Sequence, residues 1–138
     1  MDDEIYPGTC ILLPKPNQST KHLWIVLTEP DITSLDVVFV NLTTLRTGSD
    51  TTVILDCGDH KFIKHKTVVY YADAKFAPAN KLKQIVQMDG YSFHDDCDDE
   101  VLKRIQCGLL ISEFTPNKIK RYCKEKFVFC PIKQKQID

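Results

Sequence analysis

Residues 57–76 read CGDHKFIKHKTVVYYADAKF. Within this stretch a polar, histidine-bearing loop gives way to Thr67–Tyr71 (TVVYY), a β-branched and aromatic run with strand character. Side chains alternate across a strand, so Val69 and Tyr71 share one face and Val68 and Tyr70 the other. One tyrosine is therefore expected inside and one outside. After Asp73 the hydrophobic period changes from two to 3.6, dividing the chain into a strand-rich first part and a helical second part.

Upstream, four more segments read as strands. Thr9–Leu13 (TCILL) follows the Pro7-Gly8 turn signal, and Pro14 and Pro16 cut it off. His22–Thr28 (HLWIVLT) and Val37–Thr43 (VVFVNLT) are dense in β-branched and aromatic residues, and Pro30 ends the first of them. Thr51–Leu55 (TTVIL) is the fourth. The connections 15–21 and 44–50 carry the Asn, Ser, Thr and Gly of loops. Such spacing suits a small five-stranded antiparallel barrel over about residues 7–76. Trp24, between Leu23 and Ile25, reads as core.

Downstream, about residues 79–126 read as helical. A short helix is expected near 80–86. In 95–112 (DDCDDEVLKRIQCGLLIS), acids gather where a helix N-terminus favours them. Leu102, Ile105 and Leu109 then line one face, broadened by Val101, Gly108 and Ile111, with Glu100 and Arg104 paired at i,i+4 on the wet side. Thr115-Pro116 reads as an N-cap and first helical position, followed by the stripe Ile119, Tyr122, Cys123 and Phe127. The expected whole is one α+β domain over 1–138, mainly β, a barrel with helices at one end.

The chain has 138 residues and a net charge of −1. That small charge conceals segregation: residues 1–56 and 86–100 are net acidic, whereas 60–83 and 115–138 are net basic. Segregation of this kind builds a local basic face suited to an anionic partner, or simply solvated loops of either sign. No apolar run approaches a membrane span, and the acidic start is unlike a secretory signal, so a cytoplasmic protein is expected. Six cysteines (Cys10, Cys57, Cys97, Cys107, Cys123 and Cys130) include no CxxC pair and read as reduced and mostly buried.

The loop 57–66 admits several readings. Cys57, Asp59, His60 and His65 are permissible zinc ligands, but their spacing matches no common pattern and Cys-Gly-Asp-His reads as a turn. A small metalloprotein built on 57–65 is the reading that this cluster leaves open; a hairpin connection rich in Lys61, Lys64, His65 and Lys66 is the one favoured here. Cleaving RNA by internal transfer needs a base, charge stabilisation and an acid. His22, His60 or His65 can carry a proton, Thr43 can donate to a phosphate oxygen, and Lys21, Arg46 or Lys64 can supply charge. Phe62, Tyr70, Tyr71 and Phe76 can stack on bases or fill a core. The bland alternatives are a histidine pointing at water and ordinary strand threonines.

The order and spacing of these elements resemble the MazF/PemK-type toxins, endoribonucleases built on an SH3-like barrel. The likeness covers roughly residues 7–112. It rests on Pro7-Gly8 before the first strand, His22–Thr28 at the second, Val40–Thr44 at the third, Val68–Asp73 followed by Lys75, and Leu102–Ser112 at the terminal helix. The resemblance places Thr43 in the family's catalytic threonine slot and His22 where the family has a catalytic arginine. Arginine is permanently charged and presents a fork to phosphate; histidine must be protonated to do so.

The resemblance implies a sequence-selective, metal-independent single-strand RNA endonuclease, the toxin of a type II toxin–antitoxin pair. It implies a homodimer, a partly disordered antitoxin as partner, and no cofactor. His22 and Thr43 are the expected catalytic residues, and Lys21, Thr44, Arg46, Lys61, Lys64 and His65 the expected RNA-binding ones. A non-catalytic SH3-like barrel module that binds protein or nucleic acid is the alternative, the absent arginine then marking lost chemistry.

Overall fold

The structure, a computed structural model, describes residues 4–14, 20–88 and 91–131. The expected 15–21 loop thus lies mostly outside the described residues. Strands β1 (Cys10–Pro14), β2 (Lys21–Val26), β3 (Asp36–Thr44), β4 (Ile54–Leu55) and β5 (Thr67–Pro78) come first. Helix α1 (Ala79–Ile85), strand β6 (Ser92–His94) and helices α2 (Asp99–Ile111) and α3 (Asn117–Lys124) follow. All paired strands are antiparallel, in the order β4-β5-β3-β2-β1-β6. The fold is α+β and mainly β.

Both faces of the sheet are covered, which explains why β2 and β3 read as nearly continuous apolar runs. Leu23 and Ile25 of β2 join Val38, Val40 and Leu42 of β3 beneath α2 and α3. Trp24 and Val26 join Val37 and Phe39 on the other face, closed by Ile11 and by Leu82 of α1. Tyr71 is fully buried and Tyr70 is 39% exposed, as the alternation predicted.

Strand β5 does not stop near Asp73. Its Tyr70–Lys75 stretch spans what β3 covers between Phe39 and Asn41, and the extra residues make a bulge. A bulge bends the strand and sharpens its twist, and so the sheet curls. The break in period was the bulge; helix begins only at Ala79. The stretch 79–126 is also not wholly helical, since β6 returns to pair with β1 and adds a sixth strand. Of the expected strand 51–55, only Ile54–Leu55 pairs. Asp50 accepts bonds from the Thr52 amide (3.0 Å) and hydroxyl (2.6 Å), turning the chain there instead.

Helix α2 lies close on β5. The Tyr71 hydroxyl donates to the Ile105 carbonyl at 2.7 Å, and a Cβ on Gly108 would strike the Tyr71 hydroxyl and a Val53 methyl. Gly108 is thus a point of close approach. Three side-chain expectations need correction. Ile111 is 68% exposed rather than part of the buried face. Arg104 ignores Glu100 and reaches Asp59 (3.4 Å) and the Ile54 carbonyl (2.9 Å) across the domain. Thr115 does not cap α3; its hydroxyl donates to the Leu109 carbonyl at 2.8 Å, and Pro116 holds the capping position.

The expectation of six reduced cysteines is also corrected. Cys107 of α2 and Cys130 beyond α3 form a disulfide, their Cα atoms 5.4 Å apart. The α2–α3 turn brings residues 23 apart in sequence side by side, a closure that spacing alone does not reveal. Cys10, Cys97 and Cys123 are buried thiols and Cys57 is exposed. Among the described residues, no helix is long and apolar enough to cross a membrane.

Candidate functional site

Antiparallel pairing of β2 with β3 aligns Trp24 with Asn41, Ile25 with Val40 and Val26 with Phe39. The same alignment brings the beginning of β2 to the end of β3. On the far side of β3, Thr43 and Thr44 pair with Val68 and Thr67 at the start of β5. Three strand ends thereby meet, and the loop before β5 folds over them. The result is a cleft of about 260 Å³.

Its walls carry Lys21 and His22 from β2, Thr43 and Thr44 from β3, Arg46 just beyond, and Phe62, Lys64 and His65 from the loop. Seven of the eight side chains expected at the site share this one space. Lys61 does not. Its ammonium lies 3.0 Å from Asp95 and holds that carboxyl below the usual aspartate range. Lys66 is likewise paired with Asp56 at 3.0 Å, with the same effect on Asp56. Among the described residues, Lys21, Arg46 and Lys64 have no carboxylate partner, and no acidic side chain lines the cleft. Three unopposed cations in a concave wall concentrate positive potential and draw anions in.

The loop is held by its buried histidine. His60 Nε2 donates to the Asp95 carbonyl at 2.6 Å, while Nδ1 accepts the Phe62 amide at 3.0 Å. With both nitrogens occupied, His60 is a structural staple and not the proton carrier that its residue type allowed. Gly58, at φ +98°, supplies the left-handed turn before it. Beyond it, the Cys57 thiol donates to the Lys64 carbonyl at 3.3 Å and the Thr67 hydroxyl to the His65 carbonyl at 2.8 Å. Cys57, His60 and His65 therefore engage separate partners. Among the described residues, no three His, Cys, Asp or Glu side chains are grouped to hold a metal ion.

The two imidazoles in the cleft are set differently. His22 is half-buried, with Nδ1 3.1 Å from the Leu42 carbonyl. A carbonyl can only accept, so Nδ1 bears the hydrogen and Nε2 is the proton-accepting atom of the neutral ring. His65 is exposed, and its Nε2 lies 3.1 Å from the Thr44 hydroxyl. Sequence reasoning missed the Leu42 carbonyl as the group that fixes the His22 tautomer; the register of β2 on β3 is the signal that locates it. Elsewhere in the same strands, Trp24 Nε1 and Asn41 Oδ1 are buried without a hydrogen-bond partner among the described residues, and neither lines the cleft.

The chain matches no protein-family model, no curated protein and no solved structure.

Proposed function

We propose that the cleft binds and cuts single-stranded RNA by internal transfer at phosphorus, with no metal in the chemistry. One observation carries the reading: two imidazoles, four threonines and three unopposed cations line one cleft that has no carboxylate among the described residues. The required parts are a base for the 2′-hydroxyl and positive charge for the developing phosphorane-like transition state. His22 Nε2 is the base, held in the correct tautomer by Leu42. Thr43 donates to a phosphate oxygen. Arg46, two residues past β3, supplies the permanent guanidinium that position 22 lacks, and Lys21 and Lys64 add charge along the strand's backbone. A space of this size takes one nucleotide unit and not a duplex. Phe62, half-buried in the wall, offers a surface for a base.

The resemblance to MazF/PemK-type toxins extends the proposal to its setting. On that reading the sheet is an SH3-like barrel, and the protein is a cytoplasmic, homodimeric toxin restrained by a partly disordered antitoxin laid across the cleft. These features rest on the resemblance, while the chemistry rests on the cleft.

The test is incubation of the protein with an unstructured RNA in the presence of EDTA, followed by end-group analysis. Cuts leaving 2′,3′-cyclic phosphate and 5′-hydroxyl ends, absent on a 2′-deoxy strand, are expected. Salt-sensitive RNA binding without any cut would overturn the nuclease reading in favour of a binding module.

A further inference from the structure

We infer that His65 is the general acid of this site, giving the proton that the departing 5′-oxygen needs; the inference rests on the nuclease reading above. Attack by a 2′-oxygen and departure of the 5′-oxygen take place roughly in line through phosphorus. Base and acid must therefore stand on opposite sides of the phosphate. The sheet order supplies that arrangement, because β3 lies between β5 and β2. His22 enters the cleft from β2, and His65 enters from the residues leading into β5. The end of β3, bearing Thr43 and Thr44, lies between them. Two strand spacings set the flanking chains roughly 10 Å apart, with the end of β3 between them.

His65 also has the bonding an acid requires. Thr44 engages Nε2 at 3.1 Å, and the Thr67 hydroxyl fixes the His65 backbone at 2.8 Å. In the imidazolium, Nε2–H donates to Thr44 and orients the ring, while Nδ1, unbonded among the described residues, presents the second N–H. The exposed position leaves the ring open to proton exchange with solvent between turnovers. His60, five residues earlier in the same loop, has both nitrogens bonded and cannot substitute.

The step balances. The 2′-hydroxyl proton passes to His22 Nε2 as the 2′-oxygen–phosphorus bond forms. The bond from phosphorus to the 5′-oxygen breaks, and its electron pair takes the proton from His65 Nδ1. A 2′,3′-cyclic phosphate and a 5′-alcohol result, and the two histidines exchange their protons with solvent before the next cut.

Leaving-group chemistry separates this role from phosphate binding. Full-length wild type, His65→Ala and His22→Ala are each assayed on an unstructured RNA and on uridine 3′-(4-nitrophenyl phosphate), whose phenolate departs without a proton. His65→Ala is expected to lose about 100-fold or more on RNA and far less on the nitrophenyl ester, and to lose the alkaline fall of the pH–rate profile. His22→Ala is expected to lose heavily on both. Equal losses by His65→Ala on the two substrates, or no loss on RNA, would overturn the acid assignment while leaving the nuclease reading intact. A wild type inert towards both substrates would overturn the nuclease reading and this inference with it.

Discussion

The sheet face beneath α2 and the cleft at the sheet's end use similar polar residues to opposite ends. Under the helix, polar atoms find partners inside the protein. Tyr71 bonds Ile105, the Gln106 side-chain amide donates to the Leu27 carbonyl at 2.9 Å, and Thr115 bonds Leu109. A buried polar group left alone costs about 1–3 kcal/mol, so these pairings help to fix helix on sheet. In the cleft, by contrast, Lys21, Arg46 and Lys64 find no carboxylate among the described residues, and His22 satisfies one nitrogen only. Whatever attraction those groups have is left for a solute. The contrast predicts that substitutions on the covered face change stability and leave cleavage alone, whereas those in the cleft do the reverse.

The largest stability effect is expected at Gly108. Its replacement by alanine drives a methyl into the Tyr71 hydroxyl and Val53, overpacking that costs about 1–3 kcal/mol in denaturant unfolding. Tyr71→Phe is expected to cost about 1 kcal/mol through the lost bond to Ile105. Because Tyr71→Phe also removes the hydroxyl that the new methyl would strike, the double variant is expected to be more stable than the sum of the single losses implies. Strict additivity would mean that helix and sheet do not meet as described.

Thiol reactivity gives a smaller, sharper contrast. Burial pushes Cys97 and Cys123 up to about 12 and raises Cys10 further, so these thiols hold little thiolate at neutral pH. Native alkylation is expected to mark Cys57 quickly and those three slowly, with Cys107 and Cys130 reacting only after reduction. Rapid labelling of Cys123 would show that α3 does not seal the core.

The smallest effect lies on the acid side. Asp31 is held below the usual carboxyl value by the Ser34 amide first, then by the Tyr122 hydroxyl at 2.9 Å and the Thr33 amide. Asp56 and Asp95 are lowered in the same direction, each chiefly by its lysine. A carboxyl that titrates lower when folded favours the folded state above its unfolded value, about 4, and loses that contribution as pH falls through the folded value. Stability is therefore expected to be level above about pH 5 with respect to these groups and to decline below about 4. Asp31→Asn should make the decline shallower, as followed by thermal melts. An unchanged slope would remove Asp31 from that decline.

The parts legible in the sequence were those dictated by local pattern. β2, β3 and the first part of β5 declared themselves through β-branched runs, and α2 through its repeat of Leu102, Ile105 and Leu109. What local pattern could not show were effects set across the sheet. The bulge opposite Phe39–Asn41 looked like the end of a strand at Tyr71 and a change of period after Asp73. Ser92–His94 is too short and polar to read as β6 until β1 is there to pair with it. At the site, antiparallel succession of β2 and β3 was enough to bring His22 to Thr43. The meeting of Thr44 with His65, 21 residues away, required knowing that β5 is the other neighbour of β3. Lys61 and Lys64 are alike in sequence, and only the position of Asp95 separates a neutralised lysine from one in the cleft.

The central claim is that the cleft, through His22, cuts RNA, and one comparison tests it most directly. Cleavage of an unstructured RNA is timed for wild type and His22→Ala in EDTA, with melting temperatures recorded on the same preparations. The expected result is a loss on the order of 100-fold, the range of general acid–base catalysis, at a closely similar melting temperature. A His22→Ala protein that cuts as fast as wild type, or a wild type that cuts nothing, would contradict it.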